Sequence, residues 1–216
     1  MHYENLIKNV NVIKVSGNCR VDVNRICTDN RQVKAGDCFV CIKGFVRDAH
    51  EFAESAVKNG AAMVAMQDPE YYEKLSAAYP EKCFILTDNT REALALMSDN
   101  LSGHPSGDLM LVGITGTKGK TTTSYMIKSI YDNATVKTGL IGTMGNMIGE
   151  KTIETERTTP EANVLQPLLR EMVDEDVKVC IMEASSQGLN LGRVLGCEFA
   201  IGIFTNLSPD HIGENE

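Results

Sequence analysis

Gly113-Ile114-Thr115-Gly116-Thr117-Lys118-Gly119-Lys120-Thr121-Thr122-Thr123 sets two glycines and a Lys-Thr pair behind an apolar run, Leu109-Met110-Leu111-Val112-Gly113-Ile114. That run has the length and composition of a buried parallel strand. Beyond the glycines, Met126, Ile127, Ile130 and Tyr131 mark a helix. Strand, glycine turn and helix in this order are the parts of a phosphate loop. Glycines let backbone amides approach phosphate oxygens, and the helix start adds a favourable dipole. Lys120 is placed to reach the outer phosphates, and the Thr121 hydroxyl to ligate magnesium. Gly116, Thr117, Lys118, Gly119, Lys120, Thr121 and Thr122 are therefore the candidate ATP-binding residues. The general pattern G-x-x-x-x-G-K-[ST] is not strictly met, because Ile114 stands where its first glycine falls. On this stretch alone, a plain glycine turn before a helix stays open as the alternative.

Downstream, three segments place polar residues at the ends of apolar runs, where an open α/β sheet keeps its ligands. The first is Arg157-Thr158-Thr159-Pro160-Glu161. The second is Val179-Cys180-Ile181-Met182-Glu183-Ala184-Ser185-Ser186-Gln187, a buried strand running into an acid and two hydroxyls. In the third, an apolar strand at residues 199–204 delivers Thr205-Asn206-Leu207-Ser208-Pro209-Asp210-His211. Phosphoryl transfer needs a divalent metal near the outer phosphates, and Thr121, Glu183 and His211 are its candidate ligands. A lone Glu after a strand is more often a cap and a lone His a satisfied polar group. Their joint occurrence after a phosphate loop favours the metal reading, and makes Lys120, Glu183 and His211 the catalytic candidates.

Upstream, residues 37–42 read as a strand. A helix with Phe52, Ala53, Ala56 and Val57 inward stops at Asn59-Gly60, and a second strand follows at residues 61–66. Residues 83–86 read as another strand and residues 89–101 as a helix. Alternation of this kind predicts an α/β fold. Ser-Gly-His-Pro-Ser-Gly-Asp at residues 102–108 breaks the pattern. It divides the chain into domains at 1–101 and 109–216, with 102–108 as linker.

The formal net charge of −8 disfavours a nucleic-acid partner, since that affinity rests largely on Lys and Arg neutralising phosphates. No apolar run approaches the roughly 18 residues that span a bilayer, which predicts no membrane insertion. The N-terminus lacks a basic stretch followed by an apolar one, so the simplest location is the cytoplasm. There the seven cysteines would remain thiols. Cys38 and Cys41 form a CxxC, but in an apolar strand without a second pair or a nearby His they read as buried thiols, a metal or redox site being the alternative.

Taken together, these residues resemble the Mur ligases of peptidoglycan assembly. They are most like the type that adds the third residue to UDP-N-acetylmuramoyl-L-alanyl-D-glutamate (the MurE type). The resemblance rests on Thr28-Asp29-Asn30-Arg31, Lys34-Ala35-Gly36-Asp37-Cys38-Phe39-Val40, Asp48-Ala49-His50, Gly103-His104-Pro105-Ser106, the phosphate loop, Thr158-Thr159-Pro160-Glu161, Met182-Glu183-Ala184-Ser185-Ser186, Arg193 and the segment at residues 204–211. It implies a small N-terminal α/β domain cradling the UDP part of the substrate, with Asn30, Arg31 and His50, then an incomplete P-loop-type parallel-sheet ATPase domain. Thr158, Thr159, Ser185 and Arg193 resemble the residues gripping the muramoyl-peptide. ATP and Mg2+ are the implied cofactors, and UDP-N-acetylmuramoyl-dipeptide and an amino acid the implied partners. The implied chemistry transfers the γ-phosphate to the substrate carboxylate, and an amino group then attacks the acyl phosphate.

Asn30 stands where the family usually has Ser, Lys118 where it has Asn, Gln187 where it has His and Pro209 where it has Arg. Family members also continue beyond the His211 segment, with a carbamylated lysine and an amino-acid-binding C-terminal domain. The expectation is therefore that these 216 residues alone do not complete ligation. A non-catalytic nucleotide-binding or UDP-sugar-binding relative is the alternative, as is a family ligase with another acceptor. Neither the amino acid added nor the oligomeric state is legible.

Overall fold

Short runs of β-branched and apolar residues separated by capped helices build the first unit of the chain. A computed structural model describes residues 1–209. Within it the chain divides into two units, Met1–Leu101 and Ser102–Glu216. The first contains α1 (Tyr3–Leu6), β1 (Val12–Gly17), β2 (Arg25–Cys27), β3 (Asp37–Val40), α2 (Ala53–Lys58), β4 (Met63–Met66), α3 (Pro69–Ala78), β5 (Cys83–Thr87) and α4 (Thr90–Ser102). Its sheet runs β1-β5-β4-β3-β2, with β2 to β5 parallel and β1 antiparallel on the edge. Every residue of β3, β4 and β5 is buried, as strands covered on both faces require. α3, which no reading above anticipated, begins at Asp68, whose carboxyl accepts from the Glu70 and Tyr71 amides, with Pro69 in the first turn.

Cysteine usage departs from expectation at one pair. Antiparallel pairing sets Gly17 opposite Cys83, and the turn after Gly17 brings Cys19 back over that strand. The two sulfurs are joined in a disulfide, with Cα atoms 4.5 Å apart. The partners are 64 residues apart, so no local spacing signals the bond. Cys38 and Cys41 are buried thiols, as read from their strand.

The second unit contains β6 (Met110–Thr115), α5 (Lys120–Asn133), β7 (Thr138–Gly142), β8 (Gly145–Ile148), β9 (Lys151–Ile153), α6 (Ala162–Asp174), β10 (Val179–Glu183), α7 (Ser186–Asn190) and β11 (Ile201–Phe204). Its sheet runs β11-β6-β10-β7-β8-β9. The first four strands in that order are parallel, whereas β8 and β9 return as antiparallel hairpins, so the sheet is mixed.

Side-chain alternation along β10 decides where its last residue goes. Val179 and Ile181 pack with Val112, Ile114 and, from α5, Ile127 and Tyr131. Cys180 and Met182 pack on the other face with Leu165, Leu169 and Met172 of α6. Two residues beyond Ile181, Glu183 falls on the α5 side. In α5 itself, Ile127 and Tyr131 pack on the core while Met126 and Ile130 are exposed. Ser124 and Lys128 are buried. Lys128 pairs with Asp132 at 2.7 Å, and Asp132 accepts from the Thr138 hydroxyl at 2.6 Å. A buried ammonium is tolerated on this face because it is paired.

Burial pushes the Cys38, Cys41 and Cys180 thiols well above their ordinary range. Since the thiolate is the nucleophile, native protein treated with iodoacetamide at neutral pH should leave these three unmodified, and unfolded protein should label all three. Peptide mapping by mass spectrometry reads the result.

Candidate active site

The β6–α5 connection is a loop with its ends fixed by structure. Gly116 has φ +132°, and a Cβ there would lie 2.2 Å from Thr205 Oγ1 and 2.8 Å from the Asn206 carbonyl oxygen. Only glycine admits this approach. The segment after β11 clamps the loop through it. Asn206 O accepts from Thr117 N at 3.0 Å, and its carboxamide takes the Lys118 peptide by both ends, Oδ1 from Lys118 N at 3.0 Å and Nδ2 to Lys118 O at 2.9 Å. Thr205 Oγ1 donates to Lys118 O at 2.7 Å, and Thr117 Oγ1 to Ser208 O at 3.0 Å.

The clamp takes up part of the loop's hydrogen-bonding capacity. The Thr117 and Lys118 amides serve Asn206, which leaves the amides of Gly119 and of the first turn of α5, namely Lys120, Thr121 and Thr122. Those first-turn amides have no acceptor inside the helix. Because Asn206 holds the backbone of residue 118, the presence of Lys rather than Asn there leaves the clamp intact. Lys120 folds over the loop, donating from Nζ to Gly116 O at 2.7 Å and Thr117 O at 3.3 Å.

Beneath the loop lies Glu183, with no exposed surface. Its Oε2 accepts from Thr121 Oγ1 at 2.8 Å and from Thr143 Oγ1 at 3.3 Å, and its Oε1 from Thr143 N at 3.4 Å. Among the described residues it has no Lys or Arg in an ion pair. A Cβ on Gly142 would lie 2.2 Å from Glu183 Oε1, so the strand next to β10 must end in glycine for the carboxyl to fit. Thr143 Oγ1 also meets Thr158 Oγ1 at 2.9 Å.

The second polar segment joins here. Thr159 Oγ1 lies 2.9 Å from Glu183 O and 3.1 Å from Ser185 Oγ, and accepts from Ser185 N at 2.9 Å. Ser185 caps α7 through Gly188 N at 3.0 Å. Arg193 is buried, donating from Nη1 to Thr159 O at 3.1 Å and pairing with Glu161 at 3.0 Å. Thus Lys120, Thr121, Glu183, Thr158, Thr159, Ser185 and Arg193 converge at the C-terminal ends of β6, β7 and β10, although Thr159 and Arg193 are turned inward and shape the site. His211 lies outside the described residues. Thr143, Gly142 and Asn206 were not singled out from sequence. The available signal for the first two was an apolar strand ending in Gly-Thr.

The first-unit candidates have a different character. Arg31 is exposed, held by Asp29 at 2.9 and 2.7 Å, and that hydrogen-bonded pairing keeps the Asp29 carboxyl below its ordinary range. Asn30 donates to Ser55 Oγ at 3.2 Å. His50 is buried, and both ring nitrogens are engaged: Nδ1 with Asp48 Oδ1 at 2.5 Å, and Nε2 with the Gln67 and Asp68 amides at 3.0 and 3.3 Å. Accepting at Nε2 leaves the proton on Nδ1. His50 thus staples the Asp48 turn to the start of α3.

The comparisons with known proteins follow the same division. The Mur ligase middle domain matches residues 114–216, and the Mur ligase family catalytic domain matches residues 22–100. The chain belongs to the Mur ligase family. It is 46% identical over 195 residues to the UDP-N-acetylmuramoyl-L-alanyl-D-glutamate–2,6-diaminopimelate ligase of Clostridium botulinum, covering 88% of this chain and 39% of that one. The ligase of the same name from Clostridium perfringens is 44% identical, with 98% of this chain and 43% of that one covered. A solved structure of a ligase of this name superposes with a TM-score of 0.77 at 26% identity, covering 94% of this chain and 40% of that one. A MurF ligase from Thermotoga maritima in complex with ADP shares the fold, with a TM-score of 0.52 at 20% identity over 85% of this chain and 38% of that one. This Mur ligase chain thus spans about two fifths of the length of the curated relatives it matches.

Two outcomes test the geometry. Gly142→Ala sets a methyl against the Glu183 carboxyl, so it should cost about 1–3 kcal/mol in denaturant unfolding and weaken any Mg2+-dependent nucleotide binding. In the first unit, burial works against the Asp48 carboxyl, but bonds from the His50 amide and ring hold it below its ordinary 3.8. A depressed folded value stabilises above 3.8 and is lost as pH falls through it. Unfolding free energy measured from about pH 5 to about pH 3 should therefore fall less steeply in Asp48→Asn than in wild type.

Proposed function

We propose that the second unit binds Mg-ATP and transfers its γ-phosphoryl group to the carboxylate of UDP-N-acetylmuramoyl-L-alanyl-D-glutamate, for ligation to an amino acid in peptidoglycan precursor synthesis. The observation that carries this reading is the Thr121 hydroxyl donating to the buried Glu183 carboxyl directly under the phosphate loop. A carboxyl with no exposed surface, hydrogen-bonded to hydroxyl and amide donors beside a helix start, is an oxygen donor suited to a hard cation. Thr121 spends its proton on Glu183, which leaves its oxygen lone pairs for that cation. His211 completes the proposed ligand set from outside the described residues.

When bound, Mg2+ supplies charge neutralisation at the phosphates. The amides of Gly119 and the first turn of α5 hold the phosphates, and Lys120 exchanges loop carbonyls for phosphate oxygens. Thr158 and Ser185, on a frame set by Thr159 and Arg193, orient the acceptor carboxylate. Its oxygen attacks the γ-phosphorus, the bond to the β-phosphate oxygen breaks and ADP leaves. An amine then attacks the acyl carbon, and phosphate departs with the former carboxylate oxygen. The residues contribute positioning and charge stabilisation. In the first unit, exposed Arg31 is the proposed contact to the UDP moiety, with Asn30 and His50 holding its surroundings. The similarity to the clostridial diaminopimelate ligases supports this acceptor and diaminopimelate as the added amino acid, and a cytoplasmic site of action goes with that chemistry.

Calorimetry with AMP-PNP and Mg2+ tests the nucleotide half. Wild-type chain should bind, and Lys120→Ala should weaken binding by about tenfold or more, consistent with loss of charge-assisted bonds to phosphate. Absence of binding to wild type, or equal binding by the variant, contradicts the proposal. ADP formation that depends on UDP-N-acetylmuramoyl-dipeptide tests the acceptor, and ADP formation indifferent to it counts against that substrate.

A further inference from the structure

Thr143 stands between the two halves of the site. Its hydroxyl lies 3.3 Å from Glu183 Oε2 and 2.9 Å from Thr158 Oγ1, while its amide donates to the other Glu183 oxygen at 3.4 Å. A threonine hydroxyl has one proton. Donating it to the carboxyl leaves the Thr143 oxygen as the acceptor for Thr158, so the proton order runs from Thr158 through Thr143 to Glu183. Thr121 completes the arrangement from the opposite side, donating to the same Glu183 oxygen at 2.8 Å.

The backbone makes this placement hard to replace. Gly142 must lack a side chain for the carboxyl to lie against the end of β7, and the next residue is therefore the one whose amide and side chain both face Glu183. An exposed residue at a strand end has no packing reason to be threonine, and both of its polar side-chain contacts go to site residues.

We propose that Thr143 is a positioning residue that fixes the Glu183 carboxyl for the divalent cation and couples it to the Thr158 hydroxyl on the acceptor side. This rests on the reading of Glu183 as a cation ligand given above. Groups that orient a metal ligand typically change metal affinity by about 10- to 100-fold when removed. Thr143 retains one bond through its backbone amide, so the expected effect is at the lower end.

The test uses the 216-residue chain, with Mg2+ titrated at fixed AMP-PNP and binding read by calorimetry. Thr143→Val, close in shape but without the hydroxyl, should raise the Mg2+ concentration for half-saturation about tenfold. Thr143→Ser should stay near wild type, and binding of AMP-PNP in EDTA should be the same in all three. Thr158→Val should give a smaller shift, absent when made in the Thr143→Val background. An unchanged Mg2+ requirement in Thr143→Val overturns the proposal. So does an equal shift in Thr143→Ser, or a loss that persists in EDTA, since either points to packing. If Thr143→Val does not fold, Thr158→Val decides, and no shift there overturns the coupling. A wild type that binds nucleotide without regard to Mg2+ removes the cation reading beneath the proposal and the proposal with it. Mg2+-dependent wild-type binding with an indifferent Thr143→Val sinks this inference alone.

Discussion

The Glu183 carboxyl, wholly buried, accepts hydrogen bonds from the Thr121 hydroxyl and from Thr143. Much of the second unit follows from accommodating that group. A buried carboxyl without partners costs several kcal/mol, so the elements around it must each deliver a donor or make room. α5 starts close enough to give Thr121, and β7 ends in Gly142, which has no Cβ to collide with the carboxyl. β10 lies between β6 and β7 in the parallel part of the sheet, which brings the phosphate loop and the Gly142-Thr143 turn to either side of the strand that carries Glu183.

The phosphate loop is shaped from outside as well. Asn206 and Thr205, on the segment after β11, hold the peptide of Lys118, and Gly116 lets them approach. The loop thus has a braced side, turned to β11, and an open side at the start of α5. The open side lies next to Thr121 and Glu183, where the proposed phosphate site falls.

In the first unit the polar residues of interest divide by exposure. Arg31 keeps its guanidinium in solvent against Asp29, and His50 spends both ring nitrogens inside the protein. Both residue types suit ligand contact, and the sequence contains no sign of which one is buried. The same limit applies to Met126 and Ile130, whose spacing suggests an inward face although they are exposed. It applies again to Cys19 and Cys83, joined only because antiparallel pairing of β1 with β5 brings distant residues together.

What the sequence determined by itself is local. The glycine-rich turn between an apolar strand and a helix, the α/β alternation, and Glu183 at the end of an apolar run are all set by residues within a few positions of one another, where backbone conformation and period-2 or period-3.6 patterning act. What only the tertiary structure decided is which strand ends become neighbours. Strand order places Thr143 and Gly142 against Glu183, and Asn206 against Lys118, through contacts between residues 40 and 88 positions apart. Hydrogen bonds and steric fit across a sheet depend on distance in space, and nothing in a linear pattern encodes that distance until the strands have paired.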